Sequence, residues 1–261
     1  MHTTYIRHQL YIYCSKVTLA ILLLLLMGYH EGHAQVDGTL NLPHFDEQRL
    51  HYGFMIGMHT AHYRLEYDDD FVTPNYDTLH SVVPPNNIGF KVGFIVDYHI
   101  NDLLDVRLSP TFSFNQLQLN YRYSNGEIKE DLQDPTYVEL PLLLKYKSIR
   151  RMNRRMYFLA GLNPAFKAVS SQDKENKSEK LLTKGFNLSL DIGVGMDLYQ
   201  PLFKFSPELR YSYGLLNVLD DQENSYSAPL RNLTIHSLSF FITFEGGPST
   251  FSKKGKKQRK R

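Results

Sequence analysis

Between residues 185 and 199 every second side chain is apolar. Phe186, Leu188, Leu190, Ile192, Val194, Met196 and Leu198 alternate with Asn187, Ser189, Asp191, Gly193, Gly195 and Asp197. A helix scatters such a set around its axis, whereas a strand places all of it on one face. Residues 88–100 repeat the pattern, with Ile88, Phe90, Val92, Phe94, Val96 and Tyr98 opposed by Gly89, Lys91, Gly93, Asp97 and His99. Six further segments follow the same period, at 50–58, 104–123, 136–147, 156–168, 202–213 and 233–244. Within 104–123, Leu117, Leu119, Tyr121 and Tyr123 stand out of phase with Phe112 and Phe114. A β-bulge there would return them to one continuous apolar face. The pattern predicts eight strands.

Connections separate these strands in strict alternation. Long polar loops at 67–87, 124–135, 170–184 and 214–231 alternate with short turns at Asn101-Asp102, 148–154 and Gln200-Pro201. After residue 35 no run is apolar enough for a membrane helix. An even number of strands, each able to supply the roughly 9–11 residues that cross a bilayer, predicts a closed antiparallel transmembrane β-barrel. A soluble lipocalin-like barrel has the same period but turns its apolar face inward. Two features favour the membrane orientation. Tyr52, Tyr98, Tyr146, Tyr157, Tyr199, Tyr211 and Tyr213 lie near strand ends, as interfacial girdles do, and the opposite face is rich in glycine and mixed charge.

The amino terminus supplies an address. An eleven-residue apolar run at 17–27 follows Arg7 and Lys16 and precedes Gly32-His33-Ala34. It is shorter than the ~20 residues that span a bilayer, and predicts a secretory signal peptide cleaved after Ala34. Cys14, the one cysteine, precedes that run, so the mature chain has no disulfide to rely on. The net charge of +2 conceals a division. The stretch 253–261 carries Lys253, Lys254, Lys256, Lys257, Arg259, Lys260 and Arg261, and without it and the leader 20 basic residues face 26 acidic ones. A body at about −6 is unsuited to nucleic acid. The tail suits anionic lipid or an acidic partner.

An eight-stranded barrel is narrow enough for side chains to fill. Its inward candidates are Lys91, Asp97, Asp105, Arg107, Glu139, Lys145, Asp191, Asp197, Lys204, Glu208 and Arg210. They read first as an ion-paired plug, and second as an ion or proton path that nothing in the sequence selects. Catalytic patterns are weak. His236-Ser237 are adjacent in a strand and so point to opposite faces. Asp68-Asp69-Asp70 lacks the ligand spacing of a calcium loop. The Gly193/Gly195 pair lies within a strand, where it makes room for lumen side chains rather than cradling phosphate. Cofactors, metals and enzymatic activity are accordingly not expected.

The segment Thr136-Tyr137-Val138-Glu139-Leu140-Pro141-Leu142-Leu143-Leu144-Lys145-Tyr146 resembles the central strand motif of Bacteroidetes-type outer-membrane barrels. Gly193-Val194-Gly195-Met196-Asp197-Leu198-Tyr199, followed by Phe203-Lys204-Phe205-Ser206-Pro207-Glu208-Leu209-Arg210, resembles the PorT (SprT) family more specifically. His51-Tyr52-Gly53-Phe54 and Phe241-Ile242-Thr243-Phe244-Glu245 fit the same family at its two ends. Pro141, Gly193, Gly195 and Pro207 carry this likeness. The resemblance implies an accessory or assembly role in type IX secretion and gliding motility, with outer-membrane lipid and other secretion components as partners. The expected layout is a signal peptide over 1–34, a periplasmic segment over 35–49, the barrel over 50–245 and a basic tail over 246–261. Both termini would then be periplasmic.

Overall fold

The computed structural model describes residues 40–68, 79–124, 126–168, 181–220 and 229–246. Residues 1–39, which include the leader, 69–78, Asn125, 169–180, 221–228 and 247–261 lie outside them. Thirteen strands follow in order: β1 Leu50–Tyr67, β2 Leu79–Val83, β3 Asn87–Asn101, β4 Leu104–Leu108, β5 Thr111–Phe114, β6 Leu117–Tyr123, β7 Ile128–Gln133, β8 Thr136–Glu139, β9 Leu142–Lys147, β10 Arg154–Lys167, β11 Phe186–Tyr199, β12 Lys204–Gly214 and β13 Leu230–Gly246. Ten of them form one sheet that closes on itself. β4 runs on into β5 and β8 into β9, so the ring has eight antiparallel staves. β1 closes it by pairing with β3 on one side and with β13 on the other, from Tyr52↔Gly246 to Tyr67↔Leu230. No helix occurs among the described residues.

The two interrupted staves share one cause. Proline has no N–H to give to a ladder, and Pro110 and Pro141 stand at the two breaks. Register nevertheless holds across them. Ser109 N donates to Pro141 O at 3.1 Å, and Leu140 N donates to Pro164 O at 2.9 Å. Pro207 leaves a similar gap in the β11–β12 ladder, between Gly195↔Glu208 and Leu198↔Phe205.

Apolar side chains cover the outside of the ring. Phe54, Ile56, Met58, Phe90, Phe94, Leu144, Phe158, Ile192, Leu238 and Phe240 are all exposed, while the alternate residues are buried, most of them charged, polar or small and a few, such as Met55, Ile95 and Phe241, apolar. Left in water, such a continuous apolar belt would drive aggregation. The ten steps from Leu50 to Thr60 rise about 25 Å at ~3.3 Å per residue and a tilt of about 40°, the height of an outer-membrane apolar band. The lipocalin orientation is therefore excluded, and the barrel is a transmembrane one. Two of the girdle tyrosines are corrected. Tyr52, Tyr98 and Tyr146 face outward near the short turns, and Tyr211 and Tyr213 near the long loops, but Tyr157 and Tyr199 point inward and are buried. Both sit at odd positions in strands whose outward residues are even, and each finds a carboxylate for its hydroxyl.

The bulge expected after Phe114 does not exist. From Leu104↔Tyr146 through Phe114↔Thr136 to Arg122↔Ile128 the two staves keep one register. Leu117, Leu119 and Tyr121 therefore share the inward face of Arg107 and Ser113, and they are buried there. The strand does not change phase; its surroundings do. Inside the membrane the apolar residues face out toward lipid, and beyond it they turn in to build an ordinary core. Part of the predicted loops is likewise sheet: β2 and β7 flank β6 in a separate three-stranded sheet at the long-loop end. Its inner face joins Ala61, Tyr63, Val82, Leu117, Leu119, Tyr121, Leu181, Val218, Leu219, Leu230 and Leu233 in the largest apolar cluster of the described residues.

Candidate functional site: a charge-filled lumen with closed ends

All eleven inward candidates, from Lys91 to Arg210, are buried inside the ring. Arg107 on β4 is the centre. Its Nε and Nη2 each donate to an Asp97 carboxylate oxygen at 2.7 Å, its Nη1 donates to Glu208 Oε2 at 3.0 Å, and its Nη2 reaches Glu245 Oε1 at 2.7 Å. Register makes the first contact, since Asp97 and Arg107 are direct cross-strand partners. The other two carboxylates come from β12 and β13, across the lumen. Lys145 lies 3.2 Å from Asp197 Oδ1 and 4.0 Å from the centre of the Tyr157 ring. Lys204 lies 2.6 Å from Glu245 Oε2. Glu208 also accepts from Tyr157 Oη at 2.9 Å and from Arg210 Nε at 3.0 Å, and Arg210 Nη1 lies 3.8 Å from Asp191 Oδ2.

Two smaller groups flank this centre. Toward the short turns, Lys147 Nζ lies 2.6 Å from Asp105 Oδ1, which His99 Nδ1 also approaches at 2.8 Å. Toward the long loops, Lys91 Nζ lies 2.9 Å from Glu139 Oε1, and Asn163 Nδ2 donates to Glu139 Oε2 at 3.1 Å. Lys147, Arg155 and Glu245 are lumen charges that the sequence reading left out, although each continues the inward parity of its strand. With them, seven cationic side chains (Lys91, Arg107, Lys145, Lys147, Arg155, Lys204, Arg210) face seven carboxylates (Asp97, Asp105, Glu139, Asp191, Asp197, Glu208, Glu245) among the described lumen residues. Such a balance satisfies the cost of burying charge.

The family-motif residues have steric parts. Gly195 faces Tyr157 in register, and a Cβ there would come within 2.3 Å of the ring. Gly193 opposes Leu159 and Arg210, with less crowding. His236 lies on the outer side against Tyr211, Tyr213 and His62, whereas Ser237 lines the interior. The two therefore cannot act as a base and nucleophile. Among the described residues no group of His, Cys, Asp or Glu is placed to hold a metal ion. Asp69, Asp70 and the seven basic tail residues lie outside the described residues.

Described residues fill both ends of the lumen. At the long-loop end the apolar cluster caps it, with Leu119 and Leu233 fully buried. Below the cap lies a cavity of about 30 Å³, bordered by Lys91, Tyr137, Glu139, Asn163 and Asn187. It has room for one or two water molecules and polar atoms to hold them. At the short-turn end the segment before β1 enters the mouth. Phe45 is buried, stacks on His51 with ring centres 4.2 Å apart, and receives Lys204 Nζ at 5.0 Å over its face. Asp46 accepts from Tyr199 Oη at 2.9 Å and pairs with Arg155 and Arg150, each at 3.1 Å. Burial raises the Asp46 carboxyl, but Arg155, Tyr199 and Arg150 outweigh it and hold the group below the ordinary carboxylate range. Arg150 also lies 3.6 Å over the Tyr199 ring and donates to Leu42 O and Asn41 O. A lone phenylalanine in a polar stretch gives no periodic signal, so this plug could not be found from the sequence.

A closed ring, an outward apolar belt and a packed, charge-rich interior point to one kind of protein, and the sequence agrees. Residues 34–220 match the family described as outer membrane protein beta-barrel domain. The chain belongs to that family. Its place is the outer membrane. Among solved structures it is similar to the outer membrane protein OprG of Pseudomonas aeruginosa, at 13% identity over 76% of this chain and 94% of that one, with a TM-score of 0.44. It is also similar to Neisserial surface protein A, at 14% identity over 73% and 95%, with a TM-score of 0.37. A third likeness is to Ail, the attachment invasion locus protein of Yersinia pestis, solved with the heparin analogue sucrose octasulfate, at 14% identity over 76% and 99%, with a TM-score of 0.35. No curated protein sequence matches the chain. The family assignment rests on the sequence match alone.

Proposed function

We propose that this barrel is a non-enzymatic, non-conducting component of the outer membrane that serves type IX protein secretion as an accessory or assembly factor of the PorT type. The observation that carries the first half is the filled lumen. Apolar cap, paired charges and the Phe45 plug lie in series along it, so the described residues obstruct the lumen at three levels and the working surfaces are those outside the ring. The second half rests on the resemblance of residues 136–146 and 193–210 to PorT. In this reading the signal peptide is removed after Ala34. Eight staves then leave both termini, the short turns and the basic tail on the periplasmic side, and the partners are outer-membrane lipid and other secretion components.

Deletion of the gene in its host, followed by comparison of exported proteins, tests the role. Loss of type IX cargo from the medium, restored by the wild-type gene, is the expected result. A full set of exported proteins sinks the secretion role. A second reading, a small barrel whose long-loop end binds ligands or surfaces, is favoured by the β2-β6-β7 sheet, which extends that end on an apolar core shared with β1 and β13. That reading survives an unchanged secretome.

A further inference from the structure

The short turns carry a surface that the lumen does not account for. Turn tips facing water are mostly built from Gly, Asn, Asp, Pro and Ser. Here Leu103 is exposed on the turn before β4, Ile149 (78%) and Met152 on the turn before β10, and Leu202 (73%) and Phe203 on the turn before β12. Leu50 and Ile100, at the adjoining ends of β1 and β3, are exposed as well. The apolar belt therefore does not stop at Tyr52, Tyr98 and Tyr146. It runs past them, over the edge of the ring and onto the turn tips.

Cations sit beside this apolar rim. Arg150 and Arg155 are drawn inward onto Asp46, but Arg151 and Arg154 are exposed. Arg154 opens β10 on its outward face, two residues from the lipid-facing Met156. The tip between them is fixed. Arg151 and Arg154 exchange backbone hydrogen bonds at 3.0 and 3.1 Å, Met152 holds the left-handed φ of 54°, and Arg150 Nε donates to Met152 O at 2.8 Å.

We propose that this rim is immersed in the headgroup layer, with Ile149, Met152 and Leu202 against the acyl chains and Arg151 and Arg154 on the phosphates of anionic phospholipid. Continuity with the lipid-facing belt selects the membrane over a soluble protein as occupant. Exposed arginine beside inserted apolar groups selects anionic headgroups within it.

The chain contains no tryptophan, so Ile149→Trp and Leu202→Trp each install a single reporter in the full-length protein. Each variant is reconstituted in phosphatidylcholine vesicles carrying equal mole fractions of brominated phosphatidylcholine or brominated phosphatidylglycerol. The expected result is blue-shifted emission, with quenching at least about twofold stronger by the brominated anionic lipid. Adding Arg151→Gln and Arg154→Gln should abolish that preference while retaining the heat-dependent gel mobility of a folded barrel. Emission typical of water, quenched by acrylamide and by neither bromolipid, overturns the proposal and leaves the rim to a soluble partner. Equal quenching by the two bromolipids in the arginine-containing protein overturns the anionic assignment. The reporters lie on different turns, and water-like emission from either one overturns the immersion of the whole rim.

Discussion

Arg107 has no solvent exposure and meets carboxylates from β3, β12 and β13. Replacing a buried ion pair by apolar groups is often tolerated, but removing one partner leaves charge with nothing to balance it. Arg107→Met should therefore cost about 3–5 kcal/mol, read as a lower urea midpoint for loss of the folded gel mobility in detergent. An unchanged midpoint would mean that the surrounding carboxylates find other partners. Asp46 makes a different prediction. Its carboxyl titrates lower in the folded chain than its ordinary value of 3.8, so the ionised form, held by Arg155, Tyr199 and Arg150, stabilises the plug above that value. That contribution fades as pH falls through the lower folded value. Limited proteolysis before β1 should thus be slow near neutrality and accelerate only under strong acid. Asp46→Asn should be cut readily at neutral pH.

Between neighbouring staves, three rings lie over three glycines. Tyr157 covers Gly195, Phe241 covers Gly57 and His59 covers Gly89, each from the directly opposed position. An added side chain must displace ring or backbone, so Gly195→Val should cost about 1–3 kcal/mol. Combined with Tyr157→Ala, the total should fall short of the sum of the single effects, because the clash goes with the ring. Strict additivity in the same urea titration would refute the contact. The glycines were visible in the sequence; the rings that need them were not, because strand pairing is set by register between distant segments. The face of each strand was legible, since a period of two separates lipid from lumen. Leu117 and Leu119 misled for a physical reason. Periodicity reports which residues share a face but not whether that face meets lipid or protein, and the answer reverses where the staves leave the membrane.

At the scale of the barrel, the described lumen charges balance, and described residues fill the interior and both of its ends. Purified protein in a planar bilayer should therefore show no unitary conductance. Removal of residues 40–49 should still give none, because the ion-paired layer and the apolar cap remain; steady channel openings in that truncation would place the seal at Phe45 alone. The inward charges were legible as a set, yet their partners were not. Nothing in the sequence tells Arg107 to find Glu245, which is 138 residues away.

The pairing of β1 with β13 also sets an order of events. Met55 and Thr243 are neighbours in the ring although 188 residues separate them along the chain. Until the last strand is present, β1 and β12 each present an unpaired edge that hydrocarbon cannot tolerate, and the entropic cost of joining such remote segments falls on that final step. The carboxy-terminal strand is thus the clasp of the assembly. A chain interrupted before Leu230 is left with two adhesive edges and no membrane-competent form.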